Sequence, residues 1–296
     1  MIPRDPVWEE RARQVRFESG WVRRLERFAL GLEASSLRRE GGGGAARSGA
    51  GEEWVGYRPY RPGDDPRRMD WDLMARLEQS FVRITRRETS EHWWVAIDVS
   101  ASMGLGQPGK LQAAAERASA LVALGLGRGA RVDLVGYGGV RVQRAQFGRR
   151  GDLGRALEFL QSLEAGGAEG LASELHRGDW RAAGRLFVLS DFLVEAPGPL
   201  SALRRGGREL YCQRVLARHE LNPEVGLGVR WQCPESEEEL ELGLDSARVQ
   251  TYDRLVSAEL ELWRNAASAH GWRHAVATSE VPFESAIAEL LGRGAR

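Results

Sequence analysis

The stretch Trp93–Gly104 (WWVAIDVSASMG) constrains this chain more than any other. It opens on five apolar residues, Trp93, Trp94, Val95, Ala96 and Ile97. It closes on Asp98, Ser100 and Ser102, with Gly104 just beyond. A short run rich in β-branched and aromatic side chains predicts a buried strand. The polar cluster then falls where the strand leaves the sheet, and open α/β sheets bind ligands outside the carboxyl ends of their strands. One carboxylate and two hydroxyls at alternate positions are hard oxygen ligands. They suit Mg²⁺, Ca²⁺ or Mn²⁺ rather than zinc or copper.

Downstream, helical and strand periods alternate. Lys110–Gly125 predicts a helix buried on one face. Arg131–Tyr137 and Val140–Phe147 predict a hairpin turning at Gly138-Gly139, its second strand an antiparallel edge. Helices follow at Asp152–Leu163 and from Leu171, then a strand at Arg185–Leu189. That strand runs directly into Ser190-Asp191, a second carboxylate at a strand end. A short helix (Leu200–Gly206), a strand (Glu209–Ala217), a long helix (Arg248–His270, closed by Gly271), a strand (Trp272–Ala277) and a helix (Phe283–Leu291) complete the pattern. The order predicts an α/β fold: a doubly wound, mostly parallel sheet with helices on both faces. A small β-hairpin insertion is expected near residues 229–244.

Upstream, Val7–Arg39 predicts an amphipathic helix, with Trp21, Leu25, Phe28 and Leu32 at helical spacing. Such a helix packs on its own domain or serves as a partner-binding arm. The expected division is an N-terminal helical arm (1–40), a glycine-rich linker (41–53), a dense charged segment with a strand leading into the sheet (54–92), and the main domain (93–296). In Gly56–Trp71 (GYRPYRPGDDPRRMDW), Pro59, Pro62, Gly63 and Pro66 argue against a regular element. Arg58, Arg61, Arg67 and Arg68 stand against Asp64, Asp65 and Asp70, with Tyr57, Tyr60 and Trp71 alongside. The block reads as a segment strapped down by ion pairs, or as a partner-docking surface. Asp72–Glu78 fits a short helix. Phe81–Arg87 alternates as a half-exposed strand, expected to share a sheet with Trp93–Asp98.

With 42 basic and 42 acidic residues, the chain as a whole is not directed at nucleic acid or an anionic membrane. Lys110 is the sole lysine, a bias that base composition explains. Two cysteines without metal-ligand spacing fit a reducing compartment. No stretch reaches about 18 apolar residues, and the N-terminus lacks a signal-peptide core. A cytoplasmic protein with no membrane segment is expected.

Asp98-x-Ser100-x-Ser102 together with Ser190-Asp191 resembles the metal-ion-dependent adhesion site of von Willebrand factor type A domains. The segment Tyr57–Trp71, with Ala75-Arg76, Glu91 and the later LARHELNPE (Leu216–Glu224), resembles the signature of domain-of-unknown-function family 58, bacterial proteins carrying such a domain. The resemblance spans residues 54–290. It implies a doubly wound sheet and an Mg²⁺ or Mn²⁺ ion at Asp98, Ser100 and Ser102, with Asp191 as a further, water-mediated partner. It also implies a grip on a carboxylate of a partner protein, and work alongside a MoxR-type AAA+ ATPase in protein maturation or remodelling. One departure stands out. The threonine expected of the adhesion site has no counterpart in Gly166–Leu171, where Ala168 or Glu169 takes its place. Glu169 is therefore an additional candidate metal-loop residue.

The alternatives are definite. Serine and aspartate also cap loops, which leaves a metal-free interaction scaffold. A divalent-metal hydrolase is the third reading. No G-x-S-x-G, H-E-x-x-H or phosphate-binding loop is present, and His219-Glu220 reads as structural. The expectation is a non-enzymatic interaction module with an incomplete metal site.

Overall fold

The computed structural model describes residues 14–39, 52–60, 69, 74, 80–87, 91–193, 195–204, 206–223, 226–232 and 239–292. They fall into two units, one within Ser36–Glu91 and one drawing on the chain up to Ser35 and from His92 onward.

In the smaller unit β1 (Glu52–Pro59) pairs antiparallel with β2 (Phe81–Arg87), with a bulge between Trp54 and Gly56. Two expectations fail here. Gly56–Pro59 does form a regular element, because Pro59 is the last residue of its strand, where a missing donor is tolerated. And β2 does not join the strand of Trp93–Asp98. Both edges of that strand are taken by other partners, so no ladder remains for β2. The main chain of Tyr60 donates to the Ser80 carbonyl at 2.8 Å. Arg61, Asp64, Asp65, Arg67, Asp70, Trp71, the side chain of Arg58 and nearly all of the expected 72–78 helix lie outside the described residues.

Helix α1 (Trp21–Arg39) lies mostly in the larger unit, which takes the chain up to Ser35. The helix starts later than the pattern predicted: residues 15–18 are irregular and Gly20 turns the chain at φ 91°. A six-stranded sheet follows. It contains β3 (His92–Asp98), β4 (Arg131–Tyr137), β5 (Gln143–Phe147), β6 (Arg185–Ser190), β7 (Glu209–Leu216) and β10 (Arg273–Thr278), in the spatial order β10-β7-β6-β3-β4-β5. All neighbours are parallel except β4–β5, the expected antiparallel edge. A separate hairpin of β8 (Gly226–Gln232) and β9 (Glu239–Leu244) forms the insertion. The helices are α2 (Lys110–Gly127), α3 (Leu153–Gln161), α4 (Leu171–Arg177), α5 (Pro197–Ser201), α6 (Arg218–Leu221), α7 (Ser246–His270) and α8 (Phe283–Leu290).

Along β3 the two-residue period of a strand divides the side chains between two cores. Trp93, Val95 and Ile97 pack in the core formed with α1, α2, α3 and α8. Trp94 and Ala96 pack in the other, with Phe192, Leu200, Trp263 and Trp272. Each buried tryptophan removes about 150–250 Å² from water. At about 25 cal/mol per Å² this is worth roughly 4–6 kcal/mol, as an upper bound. That burial keeps β3 central. On α1, Trp21 and Leu25 are buried, the Trp21 indole N–H donates to Ser119 Oγ at 3.1 Å, and Arg24 forks onto Glu284 at 2.6 and 2.8 Å. The N-terminal helix therefore packs on its own domain. Among the described residues no helix is long and apolar enough to cross a membrane.

The chain passes from β3 through α2 to β4 on one side, and later from β6 to β7 on the other. The strand order reverses at β3 and β6, and the crevice beyond their carboxyl ends is the topological switch point.

Candidate functional site

Asp98 is the last residue of β3 and Asp191 the first after β6, so adjacent parallel strands deliver both carboxylates to that crevice. A short 3-10 turn (Ala101–Gly104) follows β3 and carries Ser102 back toward them. Asp98, Ser100, Ser102 and Asp191 are all 2–3 % exposed.

Their hydrogen bonds form one network. Asp98 Oδ1 accepts the Ser100 N–H at 2.8 Å, and Asp98 Oδ2 accepts the Ser190 hydroxyl at 2.6 Å. The Ser100 and Ser102 hydroxyl oxygens lie 3.1 Å apart, and Ser102 donates to Asp191 Oδ2 at 2.8 Å. Asp191 Oδ1 accepts the Leu193 N–H at 3.2 Å. The four sequence-predicted ligands thus meet. Each hydroxyl that donates to a carboxylate keeps lone pairs free for a cation.

The network extends to residues that the motif did not mark. Lys110, the first residue of α2, is fully buried, and its Nζ donates to Asp191 Oδ2 at 2.8 Å and to Glu220 Oε1 at 2.6 Å. Glu220 is held in turn: Oε2 accepts the Ala217 N–H at 2.6 Å, and its carbonyl accepts the Tyr252 hydroxyl at 2.6 Å. Reading Glu220 as merely structural therefore missed its place beside the site. The one available signal was that Lys110 is the only lysine in a chain of arginines.

Burial and charge act on Asp98 and Lys110 in opposite ways. Burial, and then the charge of Asp191, pushes the Asp98 carboxyl up to about 7, against the bonds from Ser190 and Ser100. Burial pulls the Lys110 ammonium down, but Asp191 and Glu220 more than reverse this, leaving it above its ordinary value.

The surrounding loops are tightly shaped. Gly138, at φ 87°, passes so close that an added Cβ would lie 2.8 Å from Asp98 Oδ1. Phe192, just after Asp191, sits at φ 54°, a conformation that costs a non-glycine residue about 1–3 kcal/mol. Its N–H bonds Ser190 Oγ at 2.8 Å, its carbonyl accepts Arg214 at 3.0 Å, and its ring packs 4.5 Å from that of Trp263. The loop expected to carry a threonine is tied by main-chain bonds, Gly166 N–H to Val99, Ala101 N–H to Gly167 and Glu169 N–H to Gly138, and by the Glu195 carboxylate, which accepts the Leu171 N–H at 2.9 Å. Ala168 and Glu169 are exposed, and Glu169 contributes only its backbone to these bonds. Among the described residues no group of three or more His, Cys, Asp or Glu side chains is placed to hold a metal ion. A cation in this crevice would rest on serine hydroxyls and water as well as two carboxylates.

Comparison with known proteins places these features in context. A family model described as "Protein of unknown function DUF58" matches residues 56–261. The uncharacterized proteins Rv1480 of Mycobacterium tuberculosis and Mb1516 of Mycobacterium bovis are each 31% identical over 181 residues. The match covers 58% of this chain and 54% of theirs, so the chain spans about half the length of these curated relatives. Among solved structures, the conserved hypothetical protein BatB from Bacteroides thetaiotaomicron aligns with a TM-score of 0.41 at 17% identity, covering 69% of this chain and 98% of its own. The VWA domain of SpRpn10 aligns with a TM-score of 0.41 at 13% identity, covering 70% of this chain and 100% of its own.

Proposed function

The chain belongs to the DUF58 family of proteins of unknown function, and from that premise we propose that it is a non-enzymatic protein-interaction module built around a divalent-cation site. The observation that carries this reading is the convergence of Asp98, Ser100, Ser102 and Asp191 at the switch point of the sheet. Mg²⁺ or Mn²⁺ would be held by Asp98, Ser100 and Ser102, with Asp191 as a further oxygen donor. All four are the hard ligands such ions take, and Asp98 is a buried carboxylate bonded only by neutral donors. Bound there, the ion would supply positive charge for an acidic side chain of a partner.

The same network supports a binding role over a catalytic one. The Ser102 hydroxyl donates to a carboxylate that already holds an ammonium, and His92 and His176 bond Asp133 and the Ala172 carbonyl. An activated serine needs a base free to take its proton. For the partner, the proposal is a MoxR-type AAA+ ATPase or an acidic loop of its client, in protein maturation or remodelling.

Calorimetric titration with Mg²⁺ and Mn²⁺ tests the site. Binding by the wild type and its loss in Asp98→Ala is the expected result; a wild type that binds neither ion overturns it. Co-purification of a MoxR-type ATPase, weakened by the same substitution, tests the partner. Metal-stimulated turnover of ester or phosphoester substrates, abolished in Asp98→Ala, would instead establish an enzyme.

A further inference from the structure

We propose that Lys110 is a tethered cation that neutralises Asp191 in the way a bound divalent ion would, so that the Asp191 half of the site is preformed and ammonium and metal compete for it. The inference deepens the cation-site reading above and concerns residues that the D-x-S-x-S pattern does not contain.

Three observations carry it. The ammonium is placed with care: it is fully buried, its backbone N–H is anchored to the Leu105 carbonyl at 2.9 Å, and its Nζ lies between Asp191 and Glu220. Burying an ammonium is unfavourable unless carboxylates surround it, and Glu220 is fixed for that purpose by Ala217 and Tyr252. The second observation is the choice of side chain. The chain uses arginine at every other basic position. A guanidinium is a wide planar fork, whereas an ammonium is a compact point charge. The ammonium meets, as a single-point contact, an oxygen that already receives the Ser102 hydroxyl. The third is the asymmetry it leaves. Asp191 has donors on both oxygens and a full positive charge at 2.8 Å, while Asp98 has neutral donors only. A divalent ion is therefore favoured at Asp98 and opposed at Asp191 by the ammonium.

The test removes the tethered charge and asks whether Mn²⁺ takes its place. Lys110→Met leaves Asp191 without its cation. Lys110→Gln combined with Glu220→Gln removes one charge of each sign and keeps a donor for Asp191, so it carries the measurement should the single variant fail to fold. Mn²⁺ binding is read by calorimetry, and melting temperature is read with Mn²⁺ and with chelator. For Lys110→Met the expected result is Mn²⁺ affinity at least about tenfold above wild type, from the loss of a neighbouring like charge; the double variant, which also loses the Glu220 carboxylate, should gain less but still exceed wild type. Mn²⁺ should also raise the melting temperature of the variants more than that of the wild type. Lys110→Arg, which keeps the charge, should show no such gain. Folded variants that bind Mn²⁺ no more tightly than wild type overturn the inference and leave the metal-site reading intact. Variants that bind Mn²⁺ when the wild type does not support the inference and overturn that reading. No binding by any of them overturns both.

Discussion

Asp98 and Asp191 end neighbouring strands of one sheet, are equally buried, and share the Ser100–Ser102 bridge, yet they are solvated in different ways. Asp191 faces an ammonium. Asp98 faces one amide and one hydroxyl, and its carboxyl is pushed up to about 7 by burial and by Asp191 itself. Equal burial therefore leaves the two carboxylates with different partners, a full positive charge for one and neutral donors for the other. His274 on β10 is the cationic counterpart of Asp98. It packs against the Trp263 and Trp272 rings, and burial, then Arg214 and Arg264, lower its pKa to about 4. Compensated and uncompensated burial thus occur within one domain, and their energetic consequences should differ.

The largest effect is expected on the compensated side. Asp191→Ala leaves Lys110 buried with Glu220 alone and should cost about 3–5 kcal/mol in urea denaturation. A cost under about 1 kcal/mol, the level of an exposed pair, would break the comparison.

Next comes His274. Its folded pKa lies below the ordinary 6.5. The neutral ring therefore contributes stability that is present above pH 6.5 and is lost as the pH falls through about 4. The contribution is about 3 kcal/mol at most, from the size of the shift. Urea midpoints measured from pH 7 to 3.5 in chelator should fall less steeply for His274→Phe than for the wild type; parallel curves would show that the ring is not protected.

Gly138→Ala probes the packing beside Asp98. With a positive φ and an added Cβ 2.8 Å from Asp98 Oδ1, it should cost about 1–3 kcal/mol and weaken Mn²⁺ binding at the same time.

The smallest effect on stability is expected for Asp98→Asn in chelator. The amide can still accept from Ser100 and relieves the repulsion with Asp191, so the change should stay within about 1 kcal/mol, the scale of one hydrogen bond. Mn²⁺ binding should nevertheless be lost. A large loss of stability without metal would mean that Asp98 is as structurally committed as Asp191.

Much of the sheet was legible along the chain. Trp93–Ile97 and Arg185–Leu189 are too apolar and too short for anything but buried strands, and helical periods between them require crossovers. The same local logic failed for β1 and β2. Strand pairing depends on which edges are free, and the occupation of both β3 edges is a property of the assembled sheet. The effect of proline in Gly56–Pro59 likewise depends on where in a strand it falls, which its residue type does not tell.

The site divides in the same way. By itself the sequence determined that two carboxylates and two serines stand at strand ends, since residue type and a two-residue period are local facts. Only the tertiary structure decided which carboxylate receives a positive charge. Lys110 lies 81 positions from Asp191 and 110 from Glu220. Charge interactions are set by distance through space and by burial, and neither exists until β3, β6 and β7 bring their carboxyl ends together.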